Sequence, residues 1–334
     1  MLARRRLSAV THALRKSPLR GTTYALAGAL LFGVNGSVAK VVIGVGVTPA
    51  QLTFMRSFAA ALIAGAVLLF TARQHFRLSG KEVGSFALLG ILGVAIIQWL
   101  YAVAISRLPV GVALLIEYTA VILVALAAWI IFREKVHGRL WLAIAAVIVG
   151  LAIVAQVWDS HLDALGAIAA TGAALAYAFY FLAGERGVAR RPPMAVAFWS
   201  TLFAAAFWSL FSQWWLIDPA LFTEPVSLTG ALDAIVVPVW LPLAWVLTLG
   251  SFAPFVLSFA ALRHLSATAV GILASSEVLF AFIVAWAWLG ETLVAVQIAG
   301  AALVLGGIVL AQTARERRPD AAVTSAAEVP TELP

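Results

Sequence analysis

Ten apolar runs, each about as long as a bilayer is thick, divide this chain. A hydrocarbon core of about 30 Å takes roughly 20 residues of helix to cross. The runs cover residues 22–43, 49–71, 82–105, 108–131, 138–157, 164–184, 194–216, 240–262, 266–289 and 292–313. Of the 334 residues 63% are hydrophobic and 11% charged, with a mean hydropathy of +1.02. Soluble domains carry about a quarter charged residues, so a soluble globular enzyme and a disordered chain are both excluded. There is no cysteine, which removes disulfides and thiol chemistry. In lipid the backbone must satisfy its own hydrogen bonds, so apolar runs of this length fold as helices. The expected fold is an all-α polytopic membrane protein with ten transmembrane helices, its first partner the lipid bilayer.

Charge sign then orients the chain. With the N-terminus in the cytoplasm, nineteen of the 22 Lys and Arg fall on the inner side. Six lie in the N-tail, three in each of the segments 72–81, 132–139 and 185–191, one at Arg263 and three in the C-tail. Lys40 and Arg107 lie at outer helix ends, and Arg56 is inside the second run. The outer loops hold Asp159, Asp163, Asp218, Glu224, Asp233 and Glu291. Such asymmetry is the positive-inside rule. It predicts both termini in the cytoplasm of a plasma membrane, and it accounts for the +7 charge without a nucleic-acid partner. The first run is longer than a signal-peptide core of about 7–15 residues, so it is expected to be a retained span. Trp141, Trp158, Trp214, Trp215 and Trp240 fall near run ends, as interfacial tryptophans do.

An internal repeat sharpens the architecture. Leu108 to Glu134, LPVGVALLIEYTAVILVALAAWIIFRE, aligns without a gap to Leu265 to Glu291, LSATAVGILASSEVLFAFIVAWAWLGE. Val121 meets Val278, Glu134 meets Glu291, and further on Gly150 meets Gly307. The offset spans five helices, and an odd number inverts the second copy. The expected division is a basic cytoplasmic N-tail at 1–21, a first five-helix repeat at 22–157 and an external linker at 158–163. A second inverted repeat follows at 164–313, then a disordered C-tail at 314–334. Inverted repeats recur in secondary transporters, whose sites lie near the bilayer midplane between repeats. Duplication also recurs in channels.

Ionisable groups inside the runs are costly, at least about 2.5–3.5 kcal/mol each, and usually face a cavity or a partner. Arg56, Glu117 and Glu277 are the candidates, with Lys40 as a weaker fourth that can snorkel. Glu117, with Tyr118 beside it, reads as a proton site or a contact for a substrate ammonium, or else as half of an ion pair with Arg56. Glu277 follows Ser275 and Ser276, a polar cluster that either lines a cavity or joins two helices. Gln98 and Tyr101 share one helix face. Asn35 and Ser37 sit in a small-residue patch. Gly300, Gly306 and Gly307 suggest close packing and a candidate homodimer face. No phosphate-binding GxxxxGK[ST] motif and no HExxH zinc motif appear, and all five His lie in tails or loops. No metal, no cofactor and no catalytic residue is expected.

These segments resemble the drug/metabolite transporter superfamily, EamA type, and most closely the threonine/homoserine exporters within it. NGSVAK at Asn35–Lys40 is similar to the family's first-span segment ending in Lys. TFMRSFAAAL at Thr53–Leu62 resembles its second-span Arg segment. LPVGVALLIEYT at Leu108–Thr119 resembles the exporter segment with a membrane Glu, and Gly271–Glu291 the ninth-span pattern. The family commonly has Pro where this chain has Val121 and Val278, and the departure predicts straighter helices there. Ser258 stands where some exporters carry an acidic residue. The resemblance implies export of a small amphipathic metabolite, plausibly an amino acid, by alternating access, with Asn35, Lys40, Arg56, Gln98, Tyr101, Glu117, Tyr118, Ser276 and Glu277 as substrate- or ion-binding residues. An uncoupled facilitator is the alternative, and a lipid-modifying membrane enzyme ranks last.

Overall fold

The computed structural model describes residues 17–120, 122–123, 126, 138–154, 163–188, 190–262, 264, 273–292 and 294–313. Its elements, in chain order, are α1 (Pro18–Gly44), α2 (Pro49–Thr71), α3 (Gly80–Leu88), α4 (Ile96–Ile105), α5 (Val110–Glu117), α6 (Arg139–Val154), α7 (Ala164–Val188) and α8 (Pro193–Phe211). A two-stranded hairpin follows, β1 (Pro225–Ser227) and β2 (Val236–Pro238). The chain ends on α9 (Trp240–Leu247), α10 (Ala253–Leu262), α11 (Ser276–Val284) and α12 (Ala295–Thr313). Among the described residues, five helices are long and apolar enough to cross a membrane: Pro18–Gly44, Pro49–Thr71, Gly80–Ile105, Met194–Phe211 and Trp240–Ser258. Shorter apolar helices cover Trp141–Val154, Ala164–Tyr180, Ser276–Leu289 and Ala295–Leu310. Most of the segment expected to complete the fourth span lies outside the described residues, as do Val121, Glu134, Leu265, Trp158, residues 1–16 and the C-tail; residues 18–21, expected in the N-tail, open α1.

Local chemistry sets the starts of the helices. Thr48 and Gln51 form a reciprocal cap on α2: Gln51 N donates to Thr48 Oγ1 at 3.2 Å, and Thr48 N donates to Gln51 Oε1 at 2.9 Å. Pro49 occupies the first turn, where a missing N–H costs nothing. The helices are apolar all round, and many large side chains face outward, Phe70 82% exposed and Leu62 64%, although Leu52, Leu68, Ile105 and Leu115 are fully buried. The interior also holds many small residues, among them Ala39, Ala104, Ala113 and Ala281, each fully buried. In lipid, helix pairing gains from close packing of small residues and little from hydrophobicity. Trp141, Trp214, Trp215 and Trp240 are each about half exposed at helix ends.

Packing is reciprocal between the two halves. Helix α1 lies against α9, α10 and α11, while α7 lies against α4 and α5. Gly250 and the Pro254 carbonyl meet Asn35 and Gly28 in antiparallel order, and Gly33 meets Phe280 in parallel order. In the other half, Gly172 meets Leu100 antiparallel, and Gly166 meets Leu108 with Tyr118 over Tyr177 in parallel. The pair α2 and α8 is central, and the pair α6 and α12 is the most extensive. There a Cβ on Gly150 would stand 2.7 Å from Val304 Cγ2, and one on Gly307 2.7 Å from Val147 Cγ2. These are the same positions exchanged at the repeat offset, and the order is antiparallel. Gly300 also packs here, against Ile153, so two of the three glycines read as a dimer face are used within the chain; Gly306 faces open space. The third and eighth spans both carry a π-helical segment, Leu89–Ala95 and Thr248–Phe252.

The fourth and ninth spans do not run straight. Helix α5 stops at Glu117, with Tyr118 and Thr119 in a turn, and α11 begins after a turn at Ser275. The expectation that losing Pro straightens these helices is corrected. Both break three residues or fewer before the Val. At the first break the Thr119 N–H and hydroxyl both donate to the Ile116 carbonyl, at 3.1 and 2.7 Å, which tightens the turn.

Candidate functional site

Three π-helical segments, Leu89–Ala95, Thr248–Phe252 and Ala285–Leu289, and the two helix breaks make the backbone of the bundle irregular. Each π turn carries an extra residue, shifts the side chains beyond it and often marks a functional site. In the eighth span the shift presents Gly250 and Ser251 inward. Gly250 leaves room for Asn35: a Cβ there would fall within 1.9 Å of Asn35 Oδ1. Ser251 is 1% exposed, and its hydroxyl donates to the Val246 carbonyl at 2.7 Å. It also accepts from Arg56 Nε at 2.9 Å.

Arg56, on α2, is buried and lies within electrostatic reach of Tyr101, Glu117 and Glu277. It forms no ion pair with either carboxylate, so the structural pairing of Arg56 with Glu117 is absent. Glu117 closes α5, is 6% exposed, and its Oε2 has no hydrogen-bond partner. Gln98 Oε1 on α4 and Asn35 Oδ1 on α1 are likewise buried without a partner. A buried acceptor with no donor costs about 1–3 kcal/mol; of the three, Glu117 lies within electrostatic reach of Arg56 and Asn35 meets Gly250, next to the Ser251 that binds Arg56. Tyr101 stands one turn from Gln98, with its hydroxyl against Gly36, where a Cβ would come within 2.6 Å.

A second group adjoins the first. The Tyr118 hydroxyl lies 2.6 Å from Glu277 Oε2, to which it donates, and 3.3 Å from the Ala274 carbonyl. Tyr118 also meets Tyr177 edge to face, at 6.0 Å between ring centres. Tyr177 lies within electrostatic reach of both Glu117 and Glu277. The two carboxylates interact with each other as well.

Seven of the nine residues singled out in the sequence therefore belong to one connected region: Asn35, Arg56, Gln98, Tyr101, Glu117, Tyr118 and Glu277. Two do not join it. The Ser276 hydroxyl turns back to the Leu273 carbonyl, across the turn at Ser275. Lys40 pairs with Glu291 at 2.5 Å. Sequence reasoning missed Ser251, Gly250 and Tyr177. Ser258, which stands where some exporters carry an acidic residue, packs against Gly28. The one available signal for Ser251 was a Gly-Ser pair inside an apolar run. An apolar crevice lined by Ala60, Ala64, Ala197 and Phe252 adjoins the region and contains none of its polar groups. Among the described residues no three His, Asp or Glu stand together as metal ligands.

Comparison with known proteins gives the family. The model of the EamA-like transporter family matches the chain twice, at residues 19–156 and 164–313. The threonine/homoserine exporter RhtA of Escherichia coli K12 is 28% identical over 258 residues, covering 75% of this chain and 77% of that protein. Its counterpart in Salmonella typhimurium SL1344 is 28% identical over 244 residues, 71% of this chain and 74% of the relative. An uncharacterized transporter of Archaeoglobus fulgidus is 27% identical over 277 residues, 83% and 91% of the two chains. A crystal structure, at 20% identity, superposes with a TM-score of 0.59 over 88% of this chain and 97% of its own, which speaks for the fold. With two matched copies of the domain spanning most of its length, this multi-pass membrane chain belongs to the EamA-like transporter family.

Proposed function

We propose that this protein is a ten-span secondary transporter of the plasma membrane that exports a small amphipathic metabolite, an amino acid of the threonine or homoserine kind, by proton-coupled alternating access. Both termini lie in the cytoplasm, and the two five-helix repeats, 22–157 and 164–313, are inverted copies. The protein performs no covalent chemistry. The observation that carries this reading is a set of buried acceptors without donors: Glu117 Oε2, on a residue within electrostatic reach of Arg56, Asn35 Oδ1 against Gly250, next to the Ser251 that binds Arg56, and Gln98 Oε1 one turn from Tyr101. Acceptors of that kind suit an ammonium, and a guanidinium suits a carboxylate. A zwitterion satisfies both at once. The RhtA relatives are named for threonine and homoserine export, which favours the same class.

Glu117 carries the proton or the substrate ammonium. Counterflow of labelled threonine in proteoliposomes, with and without a pH gradient, tests it. Glu117→Gln abolishes the gradient-driven component and lowers counterflow at least tenfold. Unchanged flux and unchanged pH dependence remove Glu117 from the mechanism. Flux that ignores the gradient and shows no competition from the trans side makes the protein an uncoupled facilitator.

A further inference from the structure

The end of the molecule carrying Lys40 is stitched shut by one carboxylate. Glu291 Oε1 accepts from Lys40 Nζ at 2.5 Å, and Glu291 Oε2 accepts from Val110 N, at the start of α5, at 2.9 Å. Lys40 Nζ also donates to the Leu108 carbonyl at 3.4 Å. One side chain thus joins the end of α1, the start of α5 and the chain beyond α11. Gly290, at φ 70°, makes the reversal that brings Glu291 back over the α5 terminus. A carboxylate at a helix N-terminus is favourable there in its own right. The hairpin closes over the same place: Trp288 Nε1 donates to the Leu228 carbonyl at 2.8 Å, and Gly230 lies too close to the Trp288 carbonyl to admit a Cβ.

The three elements joined here are those that bring Asn35, Glu117 and Glu277 to the candidate site. Separating their ends opens a route to it, and holding them together seals it. The ion pair suits a reversible contact. Its side chains are 33% and 18% exposed, so water reaches the pair and neither charge is stranded when it parts.

We propose that Lys40 and Glu291 form the latch of the outer gate, closed while the site faces the other side of the membrane and broken when it opens outward. This rests on the alternating-access reading above. Its test reads accessibility, which does not depend on the substrate or on coupling.

The chain has no cysteine, so a single introduced one reports cleanly. Ser37, on α1 one turn from Lys40, is fully buried and its hydroxyl has no partner. Ser37→Cys is nearly isosteric. Its reaction with a membrane-impermeant maleimide is followed in right-side-out and inside-out vesicles. We expect slow labelling from the outer face in this background. Adding Lys40→Gln or Glu291→Gln speeds it at least tenfold from that face alone, while Lys40→Arg stays slow. Rates unchanged by both Gln variants overturn the latch. So does equal acceleration from both faces, which marks a loosened bundle. Acceleration from the cytoplasmic face alone supports the latch and overturns the orientation proposed above.

Discussion

Ser251→Ala tests whether the π-helical segment of the eighth span positions Arg56. The substitution removes one oxygen atom and two hydrogen bonds, from Arg56 Nε at 2.9 Å and to the Val246 carbonyl at 2.7 Å. A bond to a charged group is worth about 1.5–3 kcal/mol and a neutral one about 0.5–1.5 kcal/mol. Neutral side-chain bonds between membrane helices average nearer about 0.6 kcal/mol. The guanidinium stays buried after the change, so the charged bond dominates and a loss of about 2–3 kcal/mol is expected. Ser57→Ala is the internal control. Ser57 is next to Arg56 and fully buried, and its hydroxyl has no partner. Removing it should leave stability within about 0.5 kcal/mol or raise it, because alanine is the better helix former. Reversible unfolding in mixed micelles measures both. If Ser251→Ala is no more destabilised than Ser57→Ala, the Arg56 contact is incidental and the account of the site fails at its best-defined contact.

Two further perturbations follow from the packing. Gly150→Ala and Gly307→Ala each push a methyl group to 2.7 Å from a valine carbon and within 2.9 Å of a carbonyl oxygen. Overpacking costs about 1–3 kcal/mol and the gain in helix propensity returns about 1 kcal/mol, so both should lose up to about 2 kcal/mol by thermal unfolding. The two losses should match within about 0.5 kcal/mol, because each glycine sees the other's surroundings; a large inequality would refute the reciprocal packing. Trp288→Phe keeps the ring and loses the bond to the Leu228 carbonyl. Limited proteolysis should then cut between residues 225 and 238 severalfold faster, and an unchanged rate would show that the tryptophan does not hold the hairpin.

The scaffold was largely legible in the sequence because lipid is an unforgiving solvent. Run length, small buried residues and the offset between Gly150 and Gly307 are local signals that the environment enforces. The site was legible only where a residue was out of place in lipid, as Arg56, Glu117 and Glu277 are. Ser251 was not, since a serine in an apolar run more often bonds its own helix, as Ser200 does here. Lys40 was read with the site as an ionisable group inside an apolar run, though a weaker candidate because it can snorkel. Its partner Glu291 stands 251 residues away, and only folding brings them together. The helix breaks at Tyr118 and Ser275 were hidden for a different reason. Proline is the sequence signal for a break, and both breaks form without it, through turns that hydroxyl and amide groups stabilise.

Those breaks also show what duplication left and what divergence changed. Under the repeat alignment Tyr118 matches Ser275, so both interruptions fall at one inherited position. The carboxylates do not match. Glu117 aligns with Ala274, just before its break, and Glu277 with Ala120, just after. Ala120 is fully buried against Ala174 and Ala178, which leaves no room for a carboxylate on that side. A perfectly symmetric inverted pair would give inward- and outward-open forms of equal energy. Here the scaffold is close to symmetric and the charges are not, since they sit on opposite sides of the two breaks. Under the proposed alternating access, opening toward one face would expose a different arrangement of Glu117 and Glu277 than opening toward the other. A ligand shifts a two-state equilibrium only by its difference in affinity for the two states. On that proposal the difference comes from two carboxylates placed asymmetrically in a nearly two-fold frame.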